Sequence, residues 1–207
     1  MSNQLLDIFQ PGLKTGALSM SYAPKKKYFY VEHPTEGWRV FIRNVAMLHE
    51  DGVPFNPQRF IVVKATGSTP SSYAWEPPKG QMEGKDGLEK SKKPLLKRMA
   101  TALMREVEEE SKIRTVKNLQ YTGLVLQSSE NDYPANTFFQ YHIFSGTVPS
   151  KEIKEADEKF AWYNEHPAAF KKLKKDHTEK DAIGWFEPKK TRLFGRWSPS
   201  IVALYLQ

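Results

Sequence analysis

Between Met104 and Ile113 the chain reads MREVEEESKI, and four glutamates, Glu106, Glu108, Glu109 and Glu110, fall within five positions. On a helix Glu106, Glu109 and Glu110 stand at i, i+3 and i+4 and share one face, roughly 5–6 Å apart at Cβ. The apolar spacing that precedes them ends near Ser111, so they crowd a helix C-terminus, where the backbone dipole is negative. Repulsion and dipole together cost on the order of 1–2 kcal/mol. Two arrangements offset such a cost: a solvated acidic patch paired with lysines, or a bound divalent cation. Oxygen-only ligands without His or Cys suit Mg²⁺, Mn²⁺ or Ca²⁺, and no EF-hand spacing is present.

The segment upstream, WEPPKGQMEG (75–84), supplies complementary chemistry. Gly80, lacking a Cβ, lets backbone come close to a ligand or metal. Pro77 and Pro78 stiffen the approach, Lys79 is suited to phosphate, and Glu83 adds a carboxylate. This segment belongs to a Gly-, Pro- and Ser-rich stretch at 67–87. Loops longer than about 12–15 residues are uncommon unless functional or disordered.

Elements able to position these groups are legible on either side. Alternating aromatic, β-branched and charged residues predict strands at 25–33, 37–50 and 59–66, which suggest a hairpin in a mixed sheet, and further strands at 119–128 and 136–148. Residues 181–188 read as a strand end or loop. Leu95, Met99, Leu103 and Val107 recur at four-residue steps and predict a helix from about Pro94 to near Ser111. Residues 151–176 have helical potential, and Ser198 as N-cap with Pro199 at N1 predicts a last helix over 198–207. Residues 1–24 read as a loosely structured lead-in to a single domain at 25–207. The order implies an α+β chain, an α/β/α sandwich around a mixed sheet.

Composition bounds the function. The 207 residues are ample for a real core, and 39% hydrophobic content argues against disorder. No run of about 18 apolar residues predicts a membrane span, and the N-terminus lacks the pattern of a secretory signal. With no cysteine, disulfides and thiolate zinc sites are excluded, which favours a reducing, cytoplasmic setting. A net charge of +7 favours anionic partners such as nucleotides, polyphosphates or RNA, although it also serves solubility.

The stretch from PPKGQMEGKD to MREVEEESKI resembles a Nudix box, covering residues 75–113 with its first glycine at Gly80. Arg105, Glu106, Val107, Glu109, Glu110 and Ile113 match the second half of the family's pattern in register. Three departures stand out. Asp86 occupies the first-half glutamate position, with Glu89 as a substitute. Eighteen residues, 87–104, replace the expected seven, an insertion of 11. Lys112 takes the late glycine position. The resemblance implies that Glu106, Glu109 and Glu110 bind Mg²⁺ or Mn²⁺, joined by the Gly80 carbonyl. It implies that Arg105 orients the glutamates, that Lys79 stabilises phosphate charge, and that a late-loop carboxylate acts as general base. Glu179 and Asp181 are the candidates for that base, with Glu158 behind them.

The implied reaction is cleavage of a nucleoside diphosphate linked to another moiety. WEPPKG resembles the version found in asymmetric dinucleoside tetraphosphate hydrolases, with a related loop in decapping and diphosphoinositol-phosphate enzymes. Tyr28, Tyr30, Tyr73, Trp75, Trp185 and Phe186 are candidates to stack on a base, and Lys79 and Glu83, with Tyr73 and Trp75, to meet substrate. Capped RNA is the alternative partner, favoured by the basic runs at 24–27, 90–93, 171–175 and 188–196. A non-catalytic binding protein of the same fold is the third reading. Nothing in the sequence decides the oligomeric state.

Overall fold

The computed structural model describes residues 4–88 and 93–207. In chain order the elements are β1 (Lys14–Met20), β2 (Ala23–Glu32), β3 (Arg39–Glu50), β4 (Ile61–Ala65), β5 (Trp75–Glu76) and β6 (Lys79–Gln81). There follow α1 (Gly84–Gly87), α2 (Leu95–Ser111), β7 (Lys117–Ser129), β8 (Thr137–Val148), α3 (Ser150–Glu165) and α4 (Pro167–Phe170). A 3₁₀ turn (Lys175–Thr178), β9 (Lys180–Trp185) and α5 (Trp197–Tyr205) complete the chain.

The fold is α+β around a mixed sheet. Its strands run β1-β2-β3-β8-β7, with β6 added against β3. The long β3 pairs antiparallel with β2 through residues 39–41 and with β6 through 43–45, and parallel with β8 along its length. Alternation along β3 sends Val40, Ile42, Ala46 and Leu48 to one face, against Met99, Leu103 and Val107 of α2. Val45 and Met47 point to the other face, where Ile201 and Val202 of α5 meet them. Both faces of the sheet are therefore covered by helices, because β3 is apolar on both.

Three expectations need correction. The lead-in at 1–24 contains a strand: β1 pairs with β2, and its charged and polar residues are those of an exposed edge. The strand expected at 59–66 leaves the main sheet and forms a second one, β5-β4-β9, antiparallel throughout. The last helix begins at Trp197 with Arg196 as its cap residue; Ser198 instead turns inward and donates to Glu76 at 3.1 Å. The helix expected from Pro94 to Ser111 is found at Leu95–Ser111, with Pro94 as the residue before it. Glu89 and most of the lysine run at 90–93 lie outside the described residues. Among the described residues no helix is long and apolar enough to cross a membrane.

Candidate active site

The last turns of α2 face β6 across a cleft of about 370 Å³. β6 is short, but three register pairs with β3, including Gly80 opposite Asn44, hold it under the helix. The absence of a side chain at Gly80 is required here, because a Cβ would overlap the Glu106 carboxyl group. Glu110 closes the same contact from the next turn by accepting the Lys79 backbone N–H at 2.9 Å. Thus the PPKG segment and the glutamate helix are joined at two points by groups that the sequence places 26 and 31 residues apart.

Arg105 organises the outer half of the cluster. Its guanidinium lies 2.9 Å from Glu106, 3.0 Å from Glu109 and 2.9 Å from Asp86. These carboxylates raise the arginine's already high pKa against the opposing effect of burial. Asp86 reaches Arg105 from α1, where it also accepts the Glu83 N–H at 2.8 Å in a capping box. The shorter side chain at position 86 is therefore tied to the arginine and to a cap.

The inner half is a buried chain of alternating charge. Lys79 lies 2.8 Å from Glu76, Lys180 contacts Glu76 more closely, and Lys180 lies 3.4 Å from Glu110. Burial would raise the Glu76 carboxyl, but Lys79 and Lys180 outweigh it and hold the group at about 2. Lys180 is raised in turn: burial works against its charge, and Glu110 and Glu76 more than restore it. Glu106 is the least compensated member. Burial pushes it up to about 8; Arg105 opposes this, and the charges of Glu109, Glu110 and Glu83 add to it.

The expected residues divide into two groups. Lys79, Gly80, Glu83, Glu106, Glu109, Glu110 and Glu179 all line the cleft. Glu83 is held there by Lys26 at 3.4 Å and Lys85 at 2.9 Å. Glu179 stands exposed at the rim, with no salt bridge among the described residues. Asp181, Tyr73 and Trp75 do not line it. The side chain of Asp181 is taken by Lys64 and by the Gly67 N–H at 2.9 Å. Trp75 packs toward Gly184 and donates its indole N–H to the Pro70 carbonyl, while the Tyr73 ring lies under Arg192. Glu158, on α3, pairs at 3.7 Å with Lys154 on the exposed side of that helix.

Several cleft contacts could not be read from the sequence, where Lys26 stood only within the basic run at 24–27. Lys26 and Asp176 pair across it at 2.9 Å, although 150 residues separate them. Tyr22 donates to Gln81 at 2.7 Å, Arg43 stacks 4.4 Å over the Phe139 ring, and Phe194 is exposed at the mouth. Lys180 lies between the two carboxylates considered as bases; its burial is the property that distinguishes it, and the charge-rich DHTEKD context gave no sign of it.

Among the described residues, no three His, Asp or Glu side chains are gathered closely enough to make a formed metal cage. The donors are instead paired with Arg105 and Lys180. Two observations fit a hard divalent cation nevertheless: the close approach of Gly80 backbone to Glu106, and the carboxyl of Glu106, which nearby cations leave poorly compensated.

No family model and no curated protein matches the chain. Among solved structures it is similar to a NUDIX hydrolase from Nitrosomonas europaea, with 15% identity and a TM-score of 0.45 over 80% of this chain and 88% of the other. It is similar to the E. coli ORF135 protein at 15% identity and TM-score 0.42, over 84% and 91% of the two chains. A mutT/nudix family protein from Listeria innocua aligns at 17% identity and TM-score 0.37, over 79% and 88%. Identities and scores this low leave the functional reading to the site's own residues.

Proposed function

We propose that the chain is a metal-dependent pyrophosphohydrolase of the Nudix type, acting on a nucleoside diphosphate linked to a second group, most simply a dinucleoside polyphosphate. The observation that carries the reading is the fit of Glu106 over Gly80, with Glu109 and Glu110 in register on the same helix end. A side chain at position 80 would prevent that fit.

Bound at Glu106, Glu109, Glu110 and the Gly80 carbonyl, Mg²⁺ or Mn²⁺ would neutralise phosphate charge and make water more acidic. The chain's own groups do the rest. Arg105 holds Glu106 and Glu109 in one orientation. Lys79 and Lys26 offer positive charge to the phosphates on the inner and outer walls. Glu179, the rim carboxylate free of a salt bridge, accepts the proton of the attacking water. The water oxygen bonds to phosphorus, and the bridging P–O bond breaks with its electron pair leaving on the departing phosphate. Tyr22, Tyr28 and Phe194 at the mouth provide faces for a base, in place of Tyr73 and Trp75.

The test is hydrolysis of diadenosine tetraphosphate, ADP-ribose, a diphosphoinositol phosphate and cap-labelled RNA with Mg²⁺ or Mn²⁺, products being identified by mass. The expected result is fastest cleavage of the dinucleoside substrate, with loss of cleavage in Glu109→Gln. Fastest release of cap would select the decapping reading. Metal binding by folded protein with no cleavage of any substrate would select a binding role.

A further inference from the structure

The lysine run KKLKK, residues 171–175, does not line the acidic cleft. Part of it closes a second cavity of about 400 Å³, to which Lys172 and Lys174 come from the turn after α4, Lys159 and Tyr163 from α3, and Lys112 and Arg114 from the segment after α2. Five cationic side chains thus converge from three parts of the chain. The one carboxylate in the lining is Glu108, which Arg114 engages at 3.2 Å. Among the described residues Lys159, Lys172 and Lys174 have no carboxylate at salt-bridge distance. Lysines on a solvated helix face usually diverge or alternate with acids, as Lys151 and Lys154 do with Glu155 and Glu158 on α3.

We propose that this cavity binds a phosphate-dense small anion, a short chain or cluster of phosphoryl groups, at a site separate from the acidic cleft. A single carboxylate would neutralise one of the five cations, whereas several phosphoryl oxygens can meet ammonium groups from all three walls and the Arg114 fork. The lining favours a compact anion over a nucleic acid strand: it is a half-open depression whose rings are Tyr163 and His177, with no row of aromatic platforms. Separation from the cleft is provided by the 3₁₀ turn. Asp176 pairs with Lys26 on the cleft side, while His177 lines the cavity and its carbonyl accepts the Lys112 ammonium at 2.8 Å. The inference does not depend on the hydrolase reading.

Tripolyphosphate is the probe, titrated calorimetrically into the full chain with EDTA present so that no cation bridges it to the cleft glutamates. Binding should weaken by about ten-fold or more in Lys172→Ala with Lys174→Ala, two exposed positions, and likewise in Arg114→Ala. Lys189→Ala with Lys190→Ala removes the same charge outside the cavity and should leave affinity nearly unchanged, as should Glu109→Gln. Equal loss in both double variants would reduce the effect to net charge and overturn the proposal. So would no binding by the unmodified chain, loss in Glu109→Gln, or tight binding of single-stranded RNA without binding of tripolyphosphate.

Discussion

At the scale of single residues, Glu106 bears the conflict between burial and charge. Its folded-state pKa of about 8 stands above the ordinary 4.5, so the native state holds a proton that the unfolded chain releases between those values. The native state then binds more protons in this window, and stability without metal falls as pH rises from about 4.5 to 8. Replacing the carboxyl by an amide removes the ionisation; Glu106→Gln should be more stable than the parent at pH 8 by about 4 kcal/mol, and nearly equal at pH 4.5. Urea unfolding in EDTA at the two pH values checks this, and a parent whose stability is flat across the window would refute it. Lys180 carries the opposite expectation. Removing it leaves Glu76 and Glu110 buried with one fewer cation, so Lys180→Ala should cost about 3–5 kcal/mol. Glu76→Gln in the same chain should return part of that loss, which a double-mutant cycle of unfolding free energies measures.

At the scale of elements, the end of α2 is held by an unusual cap. Lys112 is left-handed, at φ 65° and ψ 6°, where a glycine would carry no Cβ penalty. The backbone cost for lysine is about 1–2 kcal/mol. The side chain offsets this by donating to the carbonyls of Glu109 and His177, charged hydrogen bonds that contribute about 1.5–3 kcal/mol each, against burial and the nearby Lys159, which push its ammonium down to about 8. Lys112→Gly should therefore destabilise the protein by about 1 kcal/mol or more despite relieving strain, and amide exchange should accelerate in the 175–178 turn that Lys112 pins. A gain in stability would mean that the backbone term dominates. The same helix shows what sequence can convey. The four-residue apolar step and the i, i+3, i+4 glutamates are local, so α2, its buried Met99, Leu103 and Val107, and its acidic face could be read directly. The partners of that face could not. Lys180 reaches Glu110 from 70 residues downstream and Lys26 reaches Asp176 over 150, and no periodicity marks either meeting. β5 and β6, two and three residues long, are too short to show alternation. Tyr73 and Trp75 share a loop with the cleft residues but pack on its outer side, a matter of where the chain turns after Ala74.

At the scale of the whole molecule, positive and negative charge are segregated. The chain carries +7, yet the cleft gathers seven carboxylates against four cations. Under the proposed function, a polyphosphate would approach a basic body and meet an acidic floor that would accept it only with divalent metal between. Long-range attraction and local repulsion act at different stages, and salt separates them. Screening at about 8–10 Å weakens the field of the body but hardly reaches a metal–phosphate contact inside the cleft. Raising monovalent salt from about 50 to 200 mM under saturating Mg²⁺ should therefore lower kcat/KM for a dinucleoside polyphosphate by about two- to ten-fold through KM, leaving kcat within about two-fold. Steady-state kinetics at fixed free Mg²⁺ decide it. A matching fall in kcat would place the salt-sensitive step at the metal carboxylates themselves, and a kcat/KM indifferent to salt would show that the surplus of lysine plays no part in capturing substrate.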